Sequence, residues 1–261
     1  MQTEKTIDYI VDWLKTYAVN AKMKGFVVGI SGGVDSAVVS ALCAKTGMPT
    51  LCVELPIHQP VNQVTRAEEH ISGLKKRFSN VTNIAVNLTS VFETFVSAVP
   101  HAQENPNLHL SLANTRARLR MTTLYYFAGL HHFLVAGTGN KIEDFGIGFF
   151  TKYGDGGVDL SPLADLLKSE VYKIAEHLPV PESILQAAPT DGLFENSPSD
   201  EEQIGASYDE LEWAMANAEE IDTNFTERQQ KVMNIYKRLN KANTHKIEPI
   251  PVCNIPIHLK N

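Results

Sequence analysis

Gly25-Phe26-Val27-Val28-Gly29-Ile30-Ser31-Gly32-Gly33-Val34-Asp35-Ser36 sets the architecture of this 261-residue chain. Gly25 to Ile30 is a short apolar run rich in β-branched residues, the pattern of a strand buried on both faces. A turn follows, and Asp35 to about Lys45 reads as a helix. In the turn, Gly32 and Gly33 let the backbone bend tightly and approach a ligand with no Cβ in the way. Successive N–H groups then point into a concavity that the helix N-terminus makes more positive, a place for phosphate oxygens. Ser31 and Ser36 add hydroxyl donors. The Asp35 carboxylate is a hard oxygen ligand, suited to Mg²⁺ shared with phosphates.

Two other nucleotide motifs fail on these residues. G-x-x-x-x-G-K-[ST] needs a Gly-Lys pair, and the chain contains none. G-x-G-x-x-G needs a third glycine that this turn lacks.

Outward from this unit, strand and helix patterns alternate. Residues 3–23 read as an amphipathic helix, because Ile7, Ile10, Val11, Leu14, Tyr17, Ala18 and Ala21 recur at helical spacing. Further strands are predicted at Thr50–Leu55, Val81–Val86 and His132–Gly137. Helices are predicted at Pro60–Phe78, Thr89–Ala98, 111–130 (capped by Ser111 or Asn114), 168–177, 182–187, 199–217 and 225–241. This alternation predicts an α/β fold, a doubly wound parallel sheet flanked by helices, as a single domain over 1–261. Stretches 100–110, 139–161 and 188–200, rich in Gly, Pro, Asn or Asp, interrupt it, and loops of that length tend to carry function.

A composition of 43% hydrophobic and 20% charged residues supports a real core. The net charge of −7 argues against nucleic acid as the main partner, since that binding draws on clustered Lys and Arg. No apolar stretch approaches the length of a membrane span. Glu4, Asp8 and Asp12 interrupt any N-terminal signal segment. Cys43, Cys52 and Cys253 form no C-x-x-C and no zinc-finger spacing; Cys43 and Cys52 read as small buried apolar residues. Reduced thiols and the lack of an export signal predict a cytoplasmic protein.

Gly29 to Ser36 resembles the S-G-G-x-D-S signature of the N-type ATP pyrophosphatases, whose fold is adenine nucleotide alpha hydrolase-like. Members of that superfamily cleave ATP between the α- and β-phosphates, leave AMP on the substrate and hold pyrophosphate in this loop. The later segments resemble, in order and spacing, the ammonia-dependent NAD synthetases. They are Asn114-Thr115-Arg116-Ala117-Arg118-Leu119-Arg120-Met121, Val135-Ala136-Gly137-Thr138-Gly139-Asn140-Lys141-Ile142-Glu143, Leu160-Ser161-Pro162-Leu163 with Lys168, Ala188-Pro189-Thr190-Asp191-Gly192-Leu193, and Thr244-His245-Lys246. The most specific piece is Phe149-Phe150-Thr151-Lys152-Tyr153-Gly154-Asp155-Gly156-Gly157-Val158-Asp159.

The resemblance implies that Gly29, Ile30, Ser31, Gly32, Gly33, Val34, Asp35 and Ser36 bind ATP together with Thr138, Lys168 and Thr190. It implies that Asp35 and Glu143 hold Mg²⁺, and that Arg118, Lys152, Asp159, His245 and Lys246 contact deamido-NAD. The implied reaction is deamido-NAD + ATP + NH₃ → NAD + AMP + pyrophosphate, through an adenylated carboxylate, in a homodimer. Asp35 and Lys168 would meet the charge that develops on the departing pyrophosphate, and Asp155 or Asp159 would take a proton from attacking ammonium. Between Glu143 and Lys152 the chain is one residue longer than the family pattern, so Asp144 competes with Glu143 as the second metal ligand.

Only 24 residues precede the first buried strand, too few for a glutaminase domain, so the expected nitrogen source is ammonia, free or delivered by a separate subunit. Two other readings remain open: a GMP synthetase-type core and a non-catalytic nucleotide-binding module. Arg116 and Arg120 share a helix face while Arg118 lies about 200° away, so the first two read as a solvated face or a subunit salt bridge. His131 and His132 read as packed histidines. By composition alone, His245-Lys246 falls in a frayed Pro-rich tail.

Overall fold

Phe26 and Val28 face one layer of core and Val27 faces the other, and all three are fully buried. That alternation is the period of two expected of a strand covered on both sides. The structure, a computed structural model, describes residues 1–100, 104–188, 199–220 and 224–260. Strand β1 (Gly25–Gly29) lies between β2 (Thr50–Glu54) and β4 (Phe133–Val135), and β3 (Val81–Ala85) pairs with β2, giving the parallel order β3-β2-β1-β4. Gly25 packs so closely that a Cβ would sit 2.1 Å from the Pro49 carbonyl oxygen, which explains a glycine at the strand's start.

Helices α1 (Thr3–Asn20), α2 (Val34–Lys45), α3 (Val61–Arg77), α6 (Lys168–Glu176) and α7 (Glu182–Leu185) cover one face of the sheet. On α1 the buried residues are Ile7, Ile10, Leu14 and Ala18, one helical stripe. Helices α4 (Thr89–Ala98) and α5 (Leu108–His131) cover the other face through Phe92, Phe127 and Ala128. Helices α8 (Asp200–Ile204), α9 (Tyr208–Ala216) and α10 (Glu227–Ile247) build a third core with Ile142 and Ile147. The chain leaves β1 toward β2 on one side and later returns to β4 on the other. The strand order therefore reverses at β1, and a crevice opens beyond the carboxyl ends of β1 and β4, where open parallel sheets bind ligands.

Four boundaries differ from expectation. Helix α5 starts at Leu108, and neither Ser111 nor Asn114 caps it; Asn114 instead accepts a hydrogen bond from the Thr151 hydroxyl at 2.7 Å. The 199–217 helix is two helices, divided at Gly205 (φ +87°), each opened by a reciprocal Ser–Glu capping box, Ser199 with Glu202 and Ser207 with Glu210. Helix α10 runs to Ile247, because nothing breaks it before Pro249. Inside the predicted 139–161 loop, Lys141–Ile147 forms a π-helical turn capped by Asn140. Among the described residues, no helix is long and apolar enough to cross a membrane.

Candidate active site

The glycine turn is closed by its own serines. The Ser31 backbone N–H donates to Ser36 Oγ at 3.2 Å, and Ser36 Oγ donates to the Gly33 carbonyl at 3.0 Å. The Gly33 N–H donates to Ser31 Oγ at 3.2 Å. Gly32 holds φ +83°, and a Cβ there would come 2.5 Å from the Gln63 carbonyl oxygen, so this position is closed to any larger residue on two counts. Arg66 Nε donates to the Gly32 carbonyl at 3.2 Å, bringing a cation beside the turn.

From the turn a cavity of about 330 Å³ runs across the carboxyl ends of β1, β2 and β4. All of Gly29–Ser36 lines it, with Thr138, Lys168 and Asp155. Asp35 at the start of α2, Glu143 on the π-helical turn and Lys168 at the start of α6 meet on its floor. Lys168 Nζ donates to Asp35 Oδ2 at 2.6 Å and to Glu143 Oε1 at 2.9 Å, and Lys168 is only 3% exposed. Fully buried Asn140 spans the pair: its Nδ2 donates to Asp35 Oδ1 at 3.2 Å, and its Oδ1 accepts the Glu143 backbone N–H at 3.1 Å. The Tyr208 hydroxyl donates to Glu143 Oε1 at 2.6 Å and lies 3.2 Å from Asp200 Oδ2.

Burial sets the ionisation here, and Lys168 divides it unequally. Burial pushes the Asp35 carboxyl up despite Lys168, with Glu143 adding to the rise. Glu143 suffers the same desolvation, but the Lys168 charge and the Tyr208, Lys168 and Asn140 hydrogen bonds outweigh it and hold the carboxyl below its ordinary value. Burial opposes the charge on Lys168, yet the two carboxylates raise its affinity for the proton. Two carboxylates on one ammonium leave the trio one negative charge in excess when all are ionised. Hard oxygens already gathered around a cation are what Mg²⁺ requires, so Asp35 and Glu143 fit that ion.

Asp144 lines the cavity beside Glu143. Its carboxylate lies against Gly139, where a Cβ would sit 1.9 Å from Asp144 Oδ2, and burial, then Glu143, Asp155 and Asp35, push it well above the carboxylate range. The π-helical turn Lys141–Ile147 carries Glu143 to within 2.9 Å of Lys168 Nζ.

The remaining expected residues divide into two groups. Asp155 accepts the Thr151 N–H at 3.0 Å, and burial raises its pKa. Asp159 is tied into the sheet: its Oδ2 accepts the Val135 N–H at 2.8 Å and its Oδ1 the Tyr125 hydroxyl at 2.9 Å. Arg118, Lys152, His245 and Lys246 form a separate cluster outside the cavity lining. Arg118 Nε donates to the Lys152 carbonyl at 3.3 Å, Lys152 Nζ to the His245 carbonyl at 2.6 Å, and Lys246 Nζ to the Phe150 carbonyl at 2.7 Å. His245 and Lys246 therefore stand on the last turn of α10 rather than in a frayed tail. Thr190 lies outside the described residues.

Sequence reading missed several neighbours. Arg120 is not on a solvated face: it lines the cavity, with Nε donating to the Leu55 carbonyl at 3.0 Å and Nη2 to Gln59 Oε1 at 2.7 Å. Arg116 stacks over Phe92, its Cζ 4.5 Å from the ring centre. Tyr208 gave no local signal, because its tie to Glu143 spans 65 residues of sequence, and Asp200 joins the site only through Tyr208.

A glycine turn ahead of a helix N-terminus, set at the reversal point of a parallel sheet, defines an α/β protein of the adenine nucleotide alpha hydrolase-like fold. A family model described as NAD synthase matches residues 6–250. The chain is 37% identical over 243 residues to the NH(3)-dependent NAD(+) synthetase of Carboxydothermus hydrogenoformans, covering 93% of this chain and 94% of that protein. It is 34% identical to the enzyme of the same name from Syntrophomonas wolfei over the whole of both chains. Among solved structures, NMN synthetase from Francisella tularensis superposes with a TM-score of 0.85 at 30% identity, covering 98% of this chain and 100% of that one. NH3-dependent NAD synthetase from Campylobacter jejuni, at 24% identity over 97% of this chain and 100% of that one, shares the fold with a TM-score of 0.76. The chain belongs to the NAD synthase family.

Proposed function

We propose that this protein amidates deamido-NAD with ammonia, using ATP and Mg²⁺, to give NAD, AMP and pyrophosphate. The observation that carries the reading is the buried Lys168 ammonium held between Asp35 and Glu143 at the mouth of the glycine turn. A carboxylate resists ammonia because oxide is a poor leaving group; adenylation replaces oxide with AMP and divides one hard step into two easier ones. Residues Gly29–Ser36 bind the β- and γ-phosphates through backbone N–H groups, and Lys168 neutralises charge as pyrophosphate departs. Bound Mg²⁺, held by Asp35 and Glu143, would supply further electrostatic stabilisation of the phosphates. Thr138 and Thr190 contact the nucleotide, while Arg118, Lys152, His245 and Lys246 bind the acceptor. Asp155, next to the cavity and lifted by burial, is the better placed proton acceptor for ammonium; both oxygens of Asp159 already hold donors, which favours a structural part for it.

The protein works in the cytoplasm on ammonia and as a homodimer. Exposed Tyr126 and Leu130 on α5 and Phe95 on α4 are apolar area available to a second copy.

One observation favours a second acceptor, the corresponding mononucleotide: the TM-score of 0.85 is to an NMN synthetase. Purified protein with Mg²⁺-ATP and ammonium, followed by pyrophosphate release, separates the two. Deamido-NAD is expected to give the higher kcat/KM; a reversed order would assign the mononucleotide, and ADP with orthophosphate as products would overturn both.

A further inference from the structure

Among the described residues, Tyr208 supplies the one hydroxyl bonded to the Asp35 and Glu143 carboxylates, and nothing in the reaction requires it to touch a substrate. Its ring is buried, 6% exposed, on the first turn of α9, with Lys168 Nζ 4.9 Å from the ring centre. Its hydroxyl and the Lys168 ammonium both meet Glu143 at the same oxygen, Oε1, which leaves Oε2 taken by neither. Asp35 differs: Lys168 holds Oδ2 and Asn140 holds Oδ1, so each of its oxygens already has a partner.

We infer that Tyr208 is a positioning residue for the metal site, fixing the Glu143 carboxylate so that one oxygen stays open to a divalent cation once Lys168 turns to the phosphates. The inference rests on the nucleotide–Mg²⁺ reading above. Lys168 serves two ends that compete. While it bridges Asp35 and Glu143 it anchors both, but an ammonium drawn toward a triphosphate releases them. Asp35 then keeps Asn140. Glu143 keeps the Tyr208 hydroxyl at 2.6 Å together with the Asn140 side chain; without the hydroxyl, a carboxylate on a flexible side chain is held less firmly and must be ordered further each time a cation arrives, which weakens binding.

The test is Tyr208→Phe, which removes one oxygen and keeps the ring. Mn²⁺ binding is read by electron paramagnetic resonance with α,β-methylene-ATP present and no acceptor. Mn²⁺ affinity is expected to fall about tenfold, within the range for a lost partner of a metal ligand. The Mg²⁺ concentration giving half-maximal turnover should rise by the same factor, while kcat at saturating Mg²⁺ stays within about threefold and affinity for the ATP analogue measured without metal is unchanged. Unchanged Mn²⁺ affinity in the variant, or lost turnover that excess Mg²⁺ does not restore, overturns the inference. So does a variant that fails to fold, since that would make the hydroxyl structural. If wild-type protein itself binds no Mn²⁺ beside the analogue, the reading of the site fails along with it.

Discussion

Asn140 Nδ2 donates to Asp35 Oδ1 at 3.2 Å, a bond between residues 105 apart in sequence. Because Asn140 Oδ1 also caps the turn carrying Glu143, one buried amide fixes the spacing of both carboxylates. Asn140→Ala removes the donor and the cap together. Turnover, measured as kcat/KM for ATP, should drop roughly 10–100-fold, as for other partners of metal ligands. Stability should drop by about 1–3 kcal/mol from the unsatisfied groups. Activity within twofold of wild type would remove Asn140 from the site.

Asp35→Asn is expected to lose about 10²–10³-fold in kcat, because the amide cannot share a cation or neutralise Lys168. The fold should survive, since Glu143 still pairs with Lys168. Circular dichroism and pyrophosphate release on the same preparation check both halves of this expectation.

Lys168→Met leaves two buried carboxylates facing each other without their cation. The expected loss is about 3–5 kcal/mol, the usual result of breaking a buried pair from one side. Millimolar Mg²⁺ alone should then raise the Tm of the variant more than that of wild type, where the ammonium already fills the place. Equal Tm responses would argue that the carboxylates do not form a cation site.

Stability should also depend on a residue remote from any chemistry. His70 on α3 is fully buried, its Nε2 2.8 Å from Ser40 Oγ, and burial lowers its pKa from 6.5 to about 4. The unfolded chain therefore binds a proton near pH 6.5 that the folded protein refuses until about pH 4. Its contribution is fully present above pH 6.5 and is lost as pH falls through that window, by up to ~3 kcal/mol. Urea unfolding between pH 7 and 4.5 should show a smaller loss for His70→Leu than for wild type; parallel slopes would rule the histidine out. Ser40 tolerates the change because its hydroxyl also reaches the Ser36 carbonyl at 2.8 Å.

The sheet and its order of elements were legible because β2 is buried throughout and β1 and α2 nearly so, which leaves an unmistakable apolar pattern. The glycine turn was legible too, since Gly32 needs its positive φ and Asp35 begins the helix beside it. What stayed hidden depends on distance in sequence. Nothing near Tyr208 announces Glu143, and nothing near Arg120 announces Leu55 and Gln59. The ties of Asp159 were hidden for a related reason: its donors come from β4 and α5, 24 and 34 residues away in sequence. The π-helical turn was not legible, because local sequence does not say whether such a stretch forms a loop or a widened turn.

The long final helix has a mechanical consequence. One end of it grows from the third core through Val232, Met233 and Tyr236, and the other grips the glycine-rich segment through the Lys152–His245 and Lys246–Phe150 bonds. It acts as a strut, so a substitution that tilts it at Met233 would be felt some twelve residues away, at about 1.5 Å per residue, as a shifted acceptor-side lysine. Crippled turnover from such a distant lesion, with the glycine turn intact, is how that lever would announce itself.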